Sequence, residues 1–232
     1  MKKENEIKSA EKKSDEKKSK LSVVLEYVRL IAIVVGVTLF VEFFIIVNAV
    51  IPSASMEPTI MTGDHIFGNR LIYHFQDPQR YDIIIFRYPD DESKLFIKRI
   101  IGLPGDKVEI RDGGVYINDS DEPLYDGFCA YPGMTMMEEE YTNLSNPFVV
   151  PEDSYFVLGD NRLNSKDSRY WQNPFVKREK ILGKAFFRYW PLNKMCVLDS
   201  YPPELKADGT TAEAEEDSVW SDVRTAAAGG GV

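Results

Sequence analysis

Histidine is nearly missing from this chain, with His65 and His74 the two present in 232 residues. Neither sits in a pattern that marks a catalytic or metal-ligating histidine, and each reads as an incidental loop residue. Cysteine is equally scarce: Cys129 and Cys196 lie far apart, with no spacing that suits a zinc ion. They read as free thiols, and no metal is expected. Cys129 stands in Phe128-Cys129-Ala130 without a paired histidine, which argues against a cysteine transpeptidase of the sortase kind. Excess positive charge is also lacking. The chain carries −9 overall, although residues 1–20 hold eight Lys against five acidic residues. A short basic start on an acidic remainder excludes nucleic acid as the main partner.

The long apolar run LIAIVVGVTLFVEFFIIVNA, residues 30–49, is what stands out first. Twenty helical residues span about 30 Å, the hydrocarbon thickness of a bilayer. The run exceeds the apolar core of a cleaved secretion signal, so an uncleaved anchor over 22–50 is expected. Glu42 interrupts it near the outer end, where a carboxylate is tolerated only close to the headgroups. A helix from about Ser22 to Val41 would achieve that, with Phe43–Ile51 skimming the outer surface. The lysine cluster holds the N-terminus in the cytoplasm, so residues from about 51 onward lie outside a single-pass cell-membrane protein. Residues 1–21, Lys/Glu-rich and free of aromatics, are expected to be a disordered cytoplasmic segment.

Beyond the anchor the periodicity is that of strands. Asp82–Arg87, Leu95–Leu103, Lys107–Arg111, Val115–Ile117, Tyr155–Leu158 and Lys184–Tyr189 alternate or run apolar between turn formers. Asp112-Gly113-Gly114 reads as a hairpin connection and Pro104-Gly105-Asp106 as a turn. No long amphipathic helix intervenes. The expected class is mainly β, in antiparallel sheets. A first β part covers 51–118, an insertion lobe 119–150, and a second β part 151–203, with an acidic disordered tail over 204–232.

Three segments carry chemistry. Ile51-Pro52-Ser53-Ala54-Ser55-Met56-Glu57-Pro58 places two hydroxyls in a proline-bounded, non-helical stretch just outside the membrane. It could equally be a polar linker. A serine attacking an amide needs a base, and without histidine the candidate is a lysine held neutral by burial. Lys98 fits, because in a strand it shares a face with Phe96 and Ile100 while Arg99 points away. The third segment, Gly159-Asp160-Asn161-Arg162-Leu163-Asn164-Ser165-Lys166-Asp167-Ser168-Arg169, is dense in amides and paired charges. It reads as a solvated loop or as a hydrogen-bonded scaffold beside a site, with Ser165 able to orient Lys98.

Together these segments resemble the type I signal peptidase (leader peptidase) family of Ser/Lys serine proteases. PSASMEPT is similar to its nucleophile box, RYDIIIFRYP with FIKRIIGLPGD to its base box, and GDNRLNSKDSR to its third box. The resemblance covers about residues 22–190. It implies Ser55 as nucleophile and Lys98 as general base, with the Ser53 hydroxyl and the Ser55 amide as oxyanion hole. Ser165 would hold Lys98, and Asp160, Arg99, Asp167 and Arg169 would be structural charges. It further implies an antiparallel β fold, cleavage of secretory preproteins after small-X-small sites, partnership with preproteins and the bilayer, and no cofactor. Tyr81 and Gln172 stand where the family favours glycine. Two rivals remain: a self-cleaving Ser/Lys repressor, which would lack the anchor, and a membrane-tethered β domain that only binds.

Overall fold

The computed structural model describes residues 2–137 and 146–198, with side chains described from residue 23 onward. The chain divides into two compact units, 1–46 and 47–232. The first is one helix, α1 (Lys2–Phe44). Its apolar part, Val23–Phe44, has a mean hydropathy of 2.2 and is long enough to cross a membrane. Two expectations change here. Residues 2–21 are helical rather than disordered; Lys and Glu dominate them, and residues of these types lose little rotamer freedom in a helix. The helix also continues through Glu42 to Phe44 instead of ending near Val41.

The second unit is built on an eight-stranded sheet. Its strands are β1 (Ile46–Val50), β2 (His65–Asn69), β3 (Ile83–Tyr88), β4 (Asp91–Gly102), β8 (Ser154–Leu158), β9 (Phe175–Lys177), β10 (Ile181–Trp190) and β11 (Cys196–Val197). The order across the sheet is β1-β2-β10-β3-β4-β8-β9, with β11 on the edge of β10. A smaller sheet, ordered β6-β5-β7, holds β5 (Lys107–Arg111), β6 (Gly114–Ile117) and β7 (Phe148–Val149). Every register recorded is antiparallel.

The run Ile83-Ile84-Ile85-Phe86 is apolar without alternation because both faces of β3 are covered. Ile83 and Ile85 belong to one core cluster with Val47, Ile51 and Met56, and Ile84 and Phe86 to another with Ile100, Val157 and Trp171. Alternate residues face opposite sides of a strand, so a doubly packed strand has no polar face to show. A third cluster, around Val108, Ile110, Val115, Phe148 and Phe156, fills the space beneath the small sheet.

Ile46–Val50 does not skim a surface: it is an edge strand, and Val47 and Ile51 are buried. The helix therefore ends at Phe44, and the strand begins at Ile46. Its β-branched Ile and Val suit a strand as well as they suit a bilayer, which is why hydropathy alone ran the two together. Phe148–Val149 pairs with β5, so the last residues of the 119–150 insertion return to the small sheet. Residues 138–145 of that insertion and the tail over 204–232 lie outside the described residues.

Candidate active site

Ser55 lies in a single 3-10 turn, Ala54–Met56, entered from an extended Ser53 (φ −138°, ψ 157°). Pairing around the loop fixes the turn. Ile51 N–H donates to the Asp64 carbonyl at 2.9 Å, Gly63 N–H to the Ile51 carbonyl at 2.8 Å, and Ile60 N–H to the Met56 carbonyl at 2.9 Å. Met56 and Ile60, both fully buried, tie the loop to the core. Ser55 itself is buried, while Ser53 is exposed, its Oγ 3.4 Å from that of Ser55.

Lys98 comes from the middle of β4, opposite Ile84 of β3. Its Nζ lies 2.6 Å from Ser55 Oγ and 2.9 Å from the Ile97 carbonyl, and 5.6 Å from the centre of the Phe96 ring. The side chain is 4% exposed. Burial pushes its pKa down from 10.5 to about 8, against an upward pull from Asp167 and Asp160. At that value about a tenth of the amine is neutral at pH 7, against roughly one part in three thousand for a free lysine.

The third segment wraps around this pair. Asp160 accepts two bonds from Arg99, Nε to Oδ1 at 2.8 Å and Nη2 to Oδ2 at 2.6 Å, and one from Thr59 Oγ1 at 2.6 Å. Asp167 is held in the same forked way by Arg169, at 2.8 and 2.9 Å, and also accepts the Gly159 N–H at 3.0 Å. Burial would raise the Asp167 pKa, but Arg169 and these hydrogen bonds hold its carboxyl below the usual range. All four charged side chains are buried and paired, the condition under which ions are tolerated in an interior.

Ser165 does not make the contact expected of it. The Ser165 hydroxyl lies near enough to Asp167 to favour its carboxylate, yet it meets no partner in hydrogen-bond geometry. Where Ser165 was expected to hold the Lys98 amine, the Ile97 carbonyl takes that place. A strand lysine that folds back can reach its neighbour's carbonyl without help from a distant loop. His65 is likewise not a loop residue. It opens β2, with Nδ1 3.2 Å from the Tyr189 hydroxyl, and His74 lies in a short helix, α2 (Ile72–Phe75).

Sequence reasoning passed over Asn161. Its N–H donates to the Ser55 carbonyl at 3.1 Å and its Nδ2 to the Ala54 carbonyl at 3.2 Å. Both bonds cross more than a hundred residues, and no local pattern announces them. Gly159 is the second omission. A Cβ there would collide with the Ser55 carbonyl oxygen and Ser165 Oγ, so only glycine lets the third segment approach the Ser55 turn.

A groove of about 400 Å³ opens over Ser55 and Lys98. It is lined by Asn48–Ser53 on β1 and the loop after it, by Leu95–Lys98 of β4, and by Ile85, Asn164 and Lys166. Two roughly extended backbones face a serine and a buried amine. That arrangement suits an extended peptide.

Residues 24–190 match the family model described as signal peptidase, peptidase S26. A probable signal peptidase I-2 of Synechocystis sp. is 45% identical over 64% of this chain and 65% of its own length, just under two thirds. Signal peptidase I of Leptolyngbya laminosa is 37% identical over 78% of this chain and 87% of its own. Among solved structures, a signal peptidase I from Enterococcus faecalis is 40% identical, covers 47% of this chain and 97% of that one, and superposes with a TM-score of 0.38. A family match over most of the chain, including the serine turn, the lysine strand and the third segment, makes this protein a member of the signal peptidase family, peptidase S26, and a hydrolase.

Proposed function

We propose that this protein is a membrane-anchored endopeptidase that removes signal peptides from exported preproteins, with Ser55 as nucleophile and Lys98 as general base. The observation that carries the reading is the 2.6 Å approach of a buried amine to a buried hydroxyl. Neutral Lys98 takes the Ser55 proton as Oγ adds to the scissile carbonyl. The oxyanion is received by the Ser55 N–H and the Ser53 hydroxyl, each such donor being worth about 10²–10³ in kcat. Lys98 then passes its proton to the departing amine, leaving an ester on Ser55. A water that gives its proton to Lys98 hydrolyses that ester. Arg99–Asp160 and Arg169–Asp167 are the fixed charges of the scaffold, and Ser165 fills space beside Gly159.

Selection for small-X-small sites follows from the groove. A peptide extended between its walls shows every second side chain to the same side. Ile51, Ile85 and Ile97 line the groove, leaving room for small apolar groups. Topology follows from the lysine-rich start, which keeps the N-terminus in the cytoplasm and sets the β unit outside.

Ser55→Ala and Lys98→Ala in the full-length protein test this. Each is expected to abolish cleavage of a preprotein while the thermal midpoint of the β unit is retained. Cleavage at the wild-type rate by either folded variant would sink the reading.

A further inference from the structure

We propose that Asn161 is a positioning residue for the oxyanion hole: by gripping the Ala54 carbonyl it aims the Ser55 N–H at the substrate. This deepens the reading above and rests on it. The Ala54 carbonyl and the Ser55 N–H belong to one rigid trans unit and point in opposite directions. Whatever fixes the carbonyl therefore fixes the amide. Asn161 Nδ2 donates to the Ala54 oxygen at 3.2 Å, and the Asn161 N–H donates to the next carbonyl, Ser55, at 3.1 Å. Two successive peptide units of the nucleophile turn are thus held by one residue. The Ser55 N–H points away from Asn161.

Three further observations favour a constraint over incidental packing. Asn161 is 8% exposed, and its Oδ1 is buried without a partner. Flipping the amide would not relieve that acceptor, because Oδ1 would then face the Ala54 oxygen and the grip would be lost. Its backbone is also unusual, at φ −87° and ψ 80°, near the inverse γ-turn. Finally, the neighbours of Asn161 hold it from both sides. Asp160 is bound to Thr59 and Arg99, and the Arg162 guanidinium donates to Thr135 Oγ1 at 2.5 Å. A residue so anchored adds a second hold on the Ala54 oxygen, which the turn itself bonds only through the Glu57 N–H at 3.2 Å.

The test is steady-state cleavage of a preprotein by full-length Asn161→Asp and Asn161→Ala in detergent. Asp keeps the shape of Asn but removes the donor and places an oxygen against the Ala54 carbonyl; Ala removes the side-chain bond and adds no charge. Expected for both is a kcat lower by about 10²-fold with KM within about twofold; for Asn161→Ala, which adds no charge near Lys98, the limb of the pH–rate profile stays unmoved. The hydroxyl–amine pair and the groove walls are untouched, so a loss confined to kcat separates oxyanion geometry from general loosening. A folded Asn161→Ala variant with wild-type kcat would overturn the proposal. So would a loss in Asn161→Ala accompanied by a shifted pH limb or a matching rise in KM. Ser55→Ala, run alongside, keeps the two ideas apart. Residual wild-type cleavage there would fail the serine mechanism itself, whereas a dead Ser55→Ala beside an active Asn161→Ala fails this inference alone.

Discussion

Replacing Lys98 by Met should make the protein inactive and, at neutral pH, more stable. The amine is buried at 4% exposure, and its pKa falls from 10.5 to about 8 chiefly through burial. That fall corresponds to about 3 kcal/mol against the charged form in the folded state. Met keeps most of the stem and removes the charge. It also gives up the hydrogen bonds to Ser55 Oγ and the Ile97 carbonyl, a loss of about 1–3 kcal/mol for the two. The net gain at pH 7 is then at most about 2 kcal/mol, or roughly 4–8 °C in thermal midpoint for a unit of this size. The sign depends on pH. Below about pH 8 both folded and unfolded states carry the proton, and the wild type bears the whole penalty. Between about 8 and 10.5 the unfolded chain binds more protons, so wild-type stability rises with pH. Above 10.5 the penalty is gone, and the advantage of Met disappears. Thermal unfolding of the full-length protein in detergent, followed through the buried Trp171 between pH 7 and 10.5, reads the difference directly. A gap that is independent of pH, or a wild type more stable than Lys98→Met at pH 7, would refute the desolvation argument. The same value governs rate: wild-type kcat/KM should climb tenfold per pH unit below about 8 and level off above it.

Two other changes follow from the same geometry. Gly159→Ala would drive its methyl into the Ser55 carbonyl oxygen and Ser165 Oγ, so cleavage should fall by at least about 100-fold with a stability loss of about 1–3 kcal/mol; near-normal kcat would show that the two segments need not touch. Asp160→Asn leaves the Arg99 guanidinium, 2% exposed, without its counter-charge, and should cost about 3–5 kcal/mol in denaturant unfolding, much of it recovered when Arg99→Met is paired with Asp160→Leu.

Much of this fold was legible because the strands obey simple rules. DIIIFR and FIKRII are recognisable as β segments, and their non-alternating apolar stretch marks a doubly covered strand. What escaped was the edge. Ile46–Val50 continues the hydropathy of the anchor without a break, and only the pairing with β2, which depends on residues 65–69, turns it into sheet. His65–Asn69 was missed for the matching reason: its central Phe and Gly pack against Val47 and Tyr189, partners that no local pattern supplies. At the site, Lys98 was legible from its apolar strand neighbours, and the Asp and Arg residues from their density. Tyr81 was noticed as a departure where glycine is usual, and its φ of 71° gives the reason glycine is favoured there. A tyrosine holds that conformation here because its ring is buried and packs edge-on against Phe128, 5.7 Å away.

The charged residues around the dyad acquire a common purpose once their signs are followed. Asp160 and Asp167 each pull the Lys98 pKa upward, and an ammonium is useless as a base. Left unpaired in so dry a place, two carboxylates would keep the amine charged near neutral pH and unfit for the role proposed for it. Arg99 and Arg169 prevent this by occupying both oxygens of each carboxylate in forked bonds, turning two anions into two dipolar pairs. The carboxylates are retained because their lone pairs organise the backbone. Asp160 holds Thr59 of the nucleophile loop, and Asp167 holds the Gly159 N–H. Paired charges near the base thus supply rigidity at close range while contributing little net field. Burial is left as the term that decides the protonation of Lys98.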